Sequence, residues 1–154
     1  MRLEQAQGKN TVTTALYKTD FYGWTKRQAS LLQNEDYADL DLPNLIEEIE
    51  AMGRQQRQTV TSRLIILIAH LLKTKYQPQR KSSRWNRTII HQRTEIDVLL
   101  IGNKSLRNEL PECFADAYPR ARKNVHKETE LALSVFPVDC PWSLDEILDP
   151  DWLP

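Results

Sequence analysis

The chain is poor in glycine, and its two cysteines lack the spacing of a metal site. Only four of its 154 residues are glycine, whereas Leu, Ile, Gln, Arg and Glu, all common in helices, are frequent. Cys113 and Cys140 are far apart in sequence, so no C-x-x-C metal motif is present. We therefore expect a helical protein with free thiols and no cofactor.

Long apolar runs and a surplus of basic residues are also missing. The first ten residues, MRLEQAQGKN, contain no apolar stretch typical of a secretory signal, and the run LIILIA is too short to span a membrane. The 21 Lys and Arg residues are balanced by 21 Asp and Glu residues, which gives a formal net charge of zero. Because counterion release drives non-specific nucleic-acid binding, this balance weighs against a dedicated nucleic-acid binder. We expect a cytoplasmic protein without membrane contact.

Two helices are predicted in the first half of the chain from apolar residues at helical spacing. Asp20 is a candidate N-cap for the first, and the second should begin near Asp41 or Asn44 and end before Pro78. The polar stretch RQQRQT weakens the middle of the second helix, whereas its second half is apolar nearly all round, as in a central helix. The predicted stripes are Phe21, Trp24, Gln28, Leu31 and Leu32 in the first helix, and Leu45, Ile49, Met52, Gln56, Val60, Leu64, Leu67 and Leu71 in the second.

Two more helices follow. A third is expected from Ser82 or Ser83 to Gly102-Asn103, and a fourth from about Ser105 to Leu131. A kink or an interruption is expected in the fourth helix at Pro119. Their predicted stripes are Trp85, Ile89, Gln92, Ile96 and Leu99 in the third, and Leu106, Leu110, Phe114, Ala117, Ala121 and Val125 in the fourth.

The C-terminal segment FPVDCPWSLDEILDPDWLP is rich in proline but keeps large apolar residues. Ser143 and Glu146 have the spacing of a capping box for one short helix, and we expect the segment to dock on the bundle as an arm. The sequence thus predicts an all-α fold, a four-helix bundle with a short fifth helix in a proline-rich C-terminal arm. Residues 1–16 are expected to be a polar N-terminal tail and residues 17–154 a single helical-bundle domain.

Six motifs carry a resemblance to a known family. In chain order they are DFYGW, NLIEEIEAMG, HLLKTKYQP, SRWNRTIIHQR, AYPRAR and FPVDCP…LP. They resemble the successive motifs of the family called domain of unknown function twenty-nine (DUF29), common in cyanobacteria, over roughly Tyr17 to Pro154. The resemblance implies a small helical bundle, but it transfers no catalytic or ligand-binding residue because the family has none assigned. Pro119 is a departure, since a helix-forming residue is usual there.

Charge is segregated along the chain. Seven carboxylates and no base lie between Glu35 and Glu50, and seven bases and no carboxylate lie between Lys73 and Arg93. The basic block could bind phosphates, with Trp85 stacking on a base. Alternatively it is a solvated face or the internal partner of the acidic blocks, which the zero net charge favours. The candidate binding surface comprises Arg80, Lys81, Arg84, Arg87 and His91.

Polar residues at or beside the inward faces of the helices form a second candidate site. We predict a buried or half-buried network that links the second, third and fourth helices and fixes their register. A small-ligand pocket is the alternative interpretation of the same residues. The candidate network comprises Glu47, Glu50, Gln56, Gln92, Arg93, Tyr118 and Arg122.

Catalytic and metal-binding patterns are weak. Glu47 and Glu50 lie three residues apart, but the Glu-x-x-His motif of di-iron bundles does not occur. The histidines His70, His91 and His126 stand isolated, and no nucleophile with a neighbouring histidine is visible. We therefore predict no catalytic residue and no metal ligand.

The sequence favours a non-enzymatic protein-interaction module, with contacts at the candidate binding surface and, more weakly, at Trp142 and Trp152. One alternative is a nucleic-acid-binding protein that uses the basic segment 73–93. Another is a metal- or ligand-dependent enzyme built on Glu47, Glu50 and His70. A protein partner is expected, and homo-oligomers are compatible with every interpretation.

Overall fold

The computed structural model describes residues 14–154, and within this range the regular secondary structure is helical, without strands. Residues 14–19 are helical, and the rest of the predicted tail, residues 1–13, lies outside the described range. The all-α class and the four main helices are confirmed. We number the later helices α1 (Phe21–Gln33), α2 (Leu42–Tyr76), α3 (Ser83–Gly102), α4 (Leu110–Thr129) and α5 (Leu144–Leu148).

The chain divides into two compact units, here called the first unit (residues up to Arg54) and the second unit (Gln55–Pro154). The long helix α2 contributes its residues up to Arg54 to the first unit and the remainder to the second. The single domain over residues 17–154 stays a prediction.

The first unit is built on α1 and the start of α2. Asp20 caps α1 as predicted, because its side chain accepts a hydrogen bond from the backbone N–H of Gly23 at 2.9 Å. Asp41, just before α2, ties the two helices together: its carboxylate accepts from Trp24 Nε1 at 3.1 Å, and its N–H donates to Gln28 Oε1 at 2.9 Å. The buried apolar residues of the described first unit are only Trp24 and Leu40. Hydrogen bonds of Asp41 therefore fix the connection between α1 and α2, but the two helices enclose very little hydrophobic core.

The second unit encloses the hydrophobic core. The second half of α2 is buried nearly all round between Val60 and Thr74, as expected for a central helix. The predicted stripes of α3 and α4 face inward, and their residues are buried or partly buried. The buried core comprises Val60, Leu64, Leu67, Ile68, Ala69, Leu71, Leu72, Ile89, Ile96, Leu100, Leu106, Leu110, Cys113, Ala117, Tyr118, Ala121, Val125, Phe136, Trp142 and Ile147.

Two expectations for the fourth helix need correction. Residues Lys104–Glu109 form a 3₁₀ helix before α4, and Pro111 lies in the first turn of α4, where a missing N–H has no cost. The expected interruption at Pro119 is wrong, since α4 runs through it. Pro119 and Ala115 are both exposed, so water can bind the Ala115 carbonyl that lacks its helical partner.

The prediction that the C-terminal arm docks on helices is confirmed within the second unit. Phe136, Trp142 and Ile147 are buried in the core. The Trp142 and Trp152 rings meet edge to face at 5.5 Å between centroids. The capping box of α5 is present, because the Ser143 hydroxyl accepts from the Glu146 N–H at 3.2 Å and the Ser143 N–H donates to the Glu146 carboxylate at 2.8 Å. Trp142 is thereby a core residue and no longer a candidate contact residue.

Candidate functional site

Three of the predicted network residues hold the C-terminal arm. Arg93 of α3 donates from Nε to the Ile147 carbonyl at 2.9 Å, and from Nη1 and Nη2 to the carbonyls of Pro150 at 3.3 Å and Trp152 at 2.9 Å. Burial lowers the pKa of Arg93, with nearby Asp149 acting in the opposite direction. The guanidinium is a clamp that satisfies three carbonyls which the irregular arm leaves without helical partners.

Tyr118 and Arg122 of α4 hold the start of the same arm. The Tyr118 hydroxyl donates to the Pro137 carbonyl at 2.8 Å. Arg122 donates to the carbonyls of Phe136 at 2.9 Å and Leu133 at 3.0 Å. Burial raises the pKa of Tyr118 to about 12. These residues bind backbone, so the structure gives them the role of fixing the arm, which the sequence could not indicate because it does not show the path of the arm.

Gln92 joins a different contact. Its Oε1 accepts from Arg63 Nη1 at 3.3 Å, and Arg63 Nη2 forms an ion pair with Glu95 Oε2 at 3.0 Å. This contact links α2 to α3 inside the second unit. Arg63 and Glu95 were absent from the predicted set because both face a boundary that is only partly buried.

The remaining predicted network residues lie on the surface. Glu47 and Glu50 belong to the first unit, where Arg54 lies 2.6 Å from the carboxylate of Glu47 and 3.8 Å from that of Glu50. Gln56, at the start of the second unit, is exposed. The structure therefore gives these three residues no buried position, although the helical spacing placed them near the inward stripe.

The predicted basic surface is exposed. Arg80 and Lys81 lie in and just after a short 3₁₀ turn, and Arg84, Arg87 and His91 lie on the outer face of α3. Among residues 14–154, no ion pair includes the four Arg and Lys residues of this surface. Within the basic block, Lys73 pairs with Glu128 at 2.8 Å. The exposed members of the block therefore lie on a solvated face, whereas Lys73 has a partner within the fold.

Trp85 is unsuited to stacking on a nucleobase. It is half-buried, and Lys73 Nζ lies over its ring at 5.5 Å from the centroid. Its ring already has a cationic partner within the fold.

An apolar groove in the first unit was not predicted. It has a volume of about 300 Å³ and runs between α1 and the start of α2. Ile49 is 62% exposed and Met52 is 68% exposed at its edge. Its lining residues are Phe21, Trp24, Thr25, Gln28, Ala29, Leu32, Leu45, Glu48, Ile49 and Met52.

The apolar residues of the groove belong to the stripes predicted for the first two helices. Phe21, Leu32, Ile49 and Met52 were placed on these stripes, and all four are exposed. Helical spacing shows that residues share a face, but it does not show whether another element covers that face. The available signal was the polar stretch RQQRQT, which interrupts the stripe of α2 just where the buried part begins.

The groove floor contains an unsatisfied hydrogen-bond donor. Gln28 is only 2% exposed, and its Oε1 accepts from the Asp41 N–H. Its Nε2 is buried and has no acceptor among the residues that the structure describes. A buried donor left unpaired costs about 1–3 kcal/mol. An acceptor that reached Gln28 Nε2 would therefore stabilise the floor.

The surroundings of the groove are acidic. Residues 14–54 contain eight carboxylates and four Lys or Arg residues. Glu48 lines the groove and accepts a hydrogen bond from the Tyr17 hydroxyl at 2.5 Å, which is the main reason that the pKa of Tyr17 is raised. Exposed Glu35 and Asp36 follow α1 directly. The groove thus combines apolar walls with negative charge.

Neither a metal centre nor a membrane helix is found in residues 14–154. No three His, Cys, Asp or Glu side chains in this range are placed to hold a metal ion together. His70, the histidine of the enzyme alternative, is half-buried, and its Nδ1 lies 2.9 Å from the Ile66 carbonyl. Burial lowers its pKa. The helices in this range also lack the combination of length and apolar character needed to cross a bilayer.

Comparison with known proteins gives one match. The family model described as "Domain of unknown function DUF29" matches residues 16–153, nearly the whole chain. No curated protein and no solved structure matches the chain. The match agrees with the resemblance drawn from the six sequence motifs and, like it, brings no assigned activity.

Proposed function

We propose that this chain, which belongs to the DUF29 family, is a protein-interaction module whose contact surface is the apolar groove of the first unit. The observation that carries the proposal is the exposure of Phe21, Leu32, Ile49 and Met52 around one groove. Soluble proteins seldom leave apolar side chains together in water, and such patches commonly mark sites of protein binding. A cytoplasmic location, expected from the sequence, is part of the proposal.

The groove also has the properties of a helix-binding surface. Its walls come from two helices whose positions are fixed by the hydrogen bonds of Asp41 to Trp24 and Gln28. Met52, at its edge, is unbranched and can adapt to different partners. A rigid floor with adaptable edges favours binding because little ordering is needed when a partner docks.

The test is affinity capture by the full-length chain from its native lysate after nuclease treatment. The groove variant is Ile49→Gln with Met52→Gln. The control, Val98→Gln with Ile101→Gln, replaces two exposed apolar residues of the second unit. We expect defined protein partners with the unchanged chain and the control, and their loss with the groove variant. Equal capture by all three proteins, or no partner at all, would count against the groove.

Nucleic-acid binding is a second candidate function, supported by the exposed basic surface. Arg80, Lys81, Arg84 and Arg87 have no ion pair within residues 14–154, so they are available to phosphates. Arg84→Ala with Arg87→Ala should lower the affinity for nucleic acid and the slope of log K against log salt. The matched control is Arg120→Ala with Lys123→Ala, which replaces two exposed bases of α4. If the first pair of substitutions leaves affinity unchanged, this candidate is excluded.

A further inference from the structure

We infer that the groove of the first unit receives a basic amphipathic helix from a partner protein. This inference rests on the proposed function, and it adds the chemical class of the partner. Three properties of the groove support it: its length, its charge and the unsatisfied donor in its floor.

The length of the groove suits a helix of about three turns. Its α1 wall has lining residues at 21, 25, 28 and 32, and its α2 wall at 45, 49 and 52. The α1 positions from 21 to 32 cover twelve residues, and the eleven steps between the two ends give about 16 Å at 1.5 Å per residue. Helices that bind in such grooves insert apolar side chains at positions i, i+4 and i+7. About twelve residues of partner helix would fill the groove.

The charge of the groove indicates a basic partner. The seven carboxylates between Glu35 and Glu50 lie in the connection to α2 and in its first turns, with no base among them. Arg54 lies near Glu47 and Glu50, while Glu35 and Asp36 remain exposed. Lys and Arg side chains suit this edge because their stems pack on apolar residues while their charged ends reach the carboxylates.

The same charge argues against a symmetric dimer through this groove. A two-fold contact places the same surface of each copy against the other. Two acidic first units would then meet, and like charges brought together at an interface oppose association. A partner with the opposite charge has no such cost.

The floor of the groove adds a polar requirement. Gln28 Nε2 needs an acceptor, and Gln28 lines the groove. A Ser, Thr, Asn or Gln side chain on the apolar face of the partner helix would supply it after a small shift of the flexible side chains around Gln28. The occupant is therefore a helix with apolar anchors, basic edges and one uncharged polar residue among the anchors.

The test uses two synthetic peptides of fourteen residues with the same leucine spacing, i, i+4, i+7 and i+11, and a threonine among the leucines. One peptide carries lysine on its polar edges and the other carries glutamate. Binding to the full-length chain is measured by fluorescence anisotropy at low and high salt. We expect the lysine peptide to bind at least about ten-fold tighter than the glutamate peptide at low salt, a difference that salt should reduce.

Matched variants show where the peptide binds. Ile49→Gln, in the groove, should weaken binding of the lysine peptide by about ten-fold. Ile101→Gln makes the same change at a residue of the second unit that is 71% exposed, and it should leave binding within about two-fold. Circular dichroism of each variant checks that the fold is intact.

The outcomes separate this inference from the proposed function. If both peptides bind equally and Ile49→Gln weakens both, the groove is an interaction site without charge preference, and only the basic-partner inference is overturned. Self-association of the chain that Ile49→Gln abolishes would also overturn it, because the occupant would be a second copy. If the lysine peptide binds Ile49→Gln as well as the unchanged chain, or if neither peptide binds, the inference fails.

Discussion

The two units differ in what they do with their apolar residues. The second unit buries twenty in one core, whereas the described part of the first buries two. The first unit nevertheless contributes eight of the fifteen exposed large apolar residues in residues 14–154. Its helices are as regular as those of the second unit, so the difference lies in coverage. A pair of helices cannot surround its own apolar face, and part of that face stays exposed among residues 14–54.

Their charges differ as well. The second unit contains fifteen Lys or Arg and twelve Asp or Glu residues, whereas residues 14–54 contain four and eight. The zero net charge of the chain therefore results from two opposite imbalances. Total charge describes solubility and long-range attraction of the whole molecule, but a partner responds to the local surface. This is why the charge balance of the whole chain, taken alone, is a weak argument against nucleic-acid binding.

The prediction with the largest expected effect truncates one isoleucine to alanine in each unit, a buried one in the second and an exposed one in the first. Ile96→Ala truncates a side chain with 0% exposure in the second unit, and we expect the free energy of unfolding to fall by about 2–5 kcal/mol because a cavity remains. Ile49→Ala truncates an exposed side chain in the first unit and should change it by no more than about 0.5 kcal/mol. Urea unfolding followed by circular dichroism measures both.

A cost of several kcal/mol for Ile49→Ala would break this comparison. It would mean that Ile49 is buried in solution, for example against a second copy of the chain. Repeating the measurement at several protein concentrations distinguishes this case, since stability that depends on association rises with concentration.

A second test concerns the clamp that closes the second unit. Arg93→Leu leaves the carbonyls of Ile147, Pro150 and Trp152 without their donor, and we expect a loss of about 1.5–3 kcal/mol, typical of hydrogen bonds to a charged group. Arg87→Leu is the control, because Arg87 is an exposed residue of the same helix without an ion pair in residues 14–154. Arg87→Leu should change the free energy of unfolding by no more than about 0.5 kcal/mol.

Limited proteolysis sharpens this test. Loss of the clamp should make the arm after Ile147 cleavable at lower protease concentration, while Arg87→Leu should leave the pattern unchanged. If Arg93→Leu changes neither the stability nor the cleavage, the arm is held by its apolar anchors alone and the clamp is unimportant.

Local rules predicted the helices well. Asp20, Ser82 and Ser143 cap α1, α3 and α5 as their sequence context indicated. The inward stripes of α3 and α4 also hold, because helical periodicity fixes which residues share a face. These features depend on neighbours within a few residues, which the sequence displays directly.

The candidate sites were harder to predict because they depend on contacts between distant segments. Arg93 was predicted to join a network between helices, but its acceptors are carbonyls 54 to 59 residues away. Ile49 and Met52 were placed on the apolar stripe of α2, and only the structure shows that they are 62% and 68% exposed. Whether a polar residue finds a partner, or an apolar one finds cover, is decided by tertiary packing.

The prediction with the smallest expected effect compares two tyrosines, one in each unit. The pKa values of both are raised, but for different reasons. Tyr118 is buried in the second unit, and burial raises its pKa to about 12. Tyr17 is in the first unit, where the hydrogen bond to Glu48 is the main cause. Nearby Glu48 and Glu47 also raise the pKa of Tyr17 by charge repulsion, so added salt should lower it slightly and should leave that of Tyr118 nearly unchanged. Ultraviolet titration of the phenolates in Tyr17→Phe and Tyr118→Phe assigns each transition.

The same shift has a consequence for stability with a definite sign. The folded pKa of Tyr118 is above its unfolded value of 10.0, so its contribution is fully present below pH 10 and is lost as the pH rises through about 12. Tyr118→Phe removes the hydrogen bond to Pro137 and should cost about 0.5–1.5 kcal/mol near neutral pH. The difference in the free energy of unfolding between the unchanged chain and this variant should then narrow between pH 10 and pH 12. A gap that widens instead would show that the Tyr118 hydroxyl ionises more easily in the folded unit, contrary to its burial.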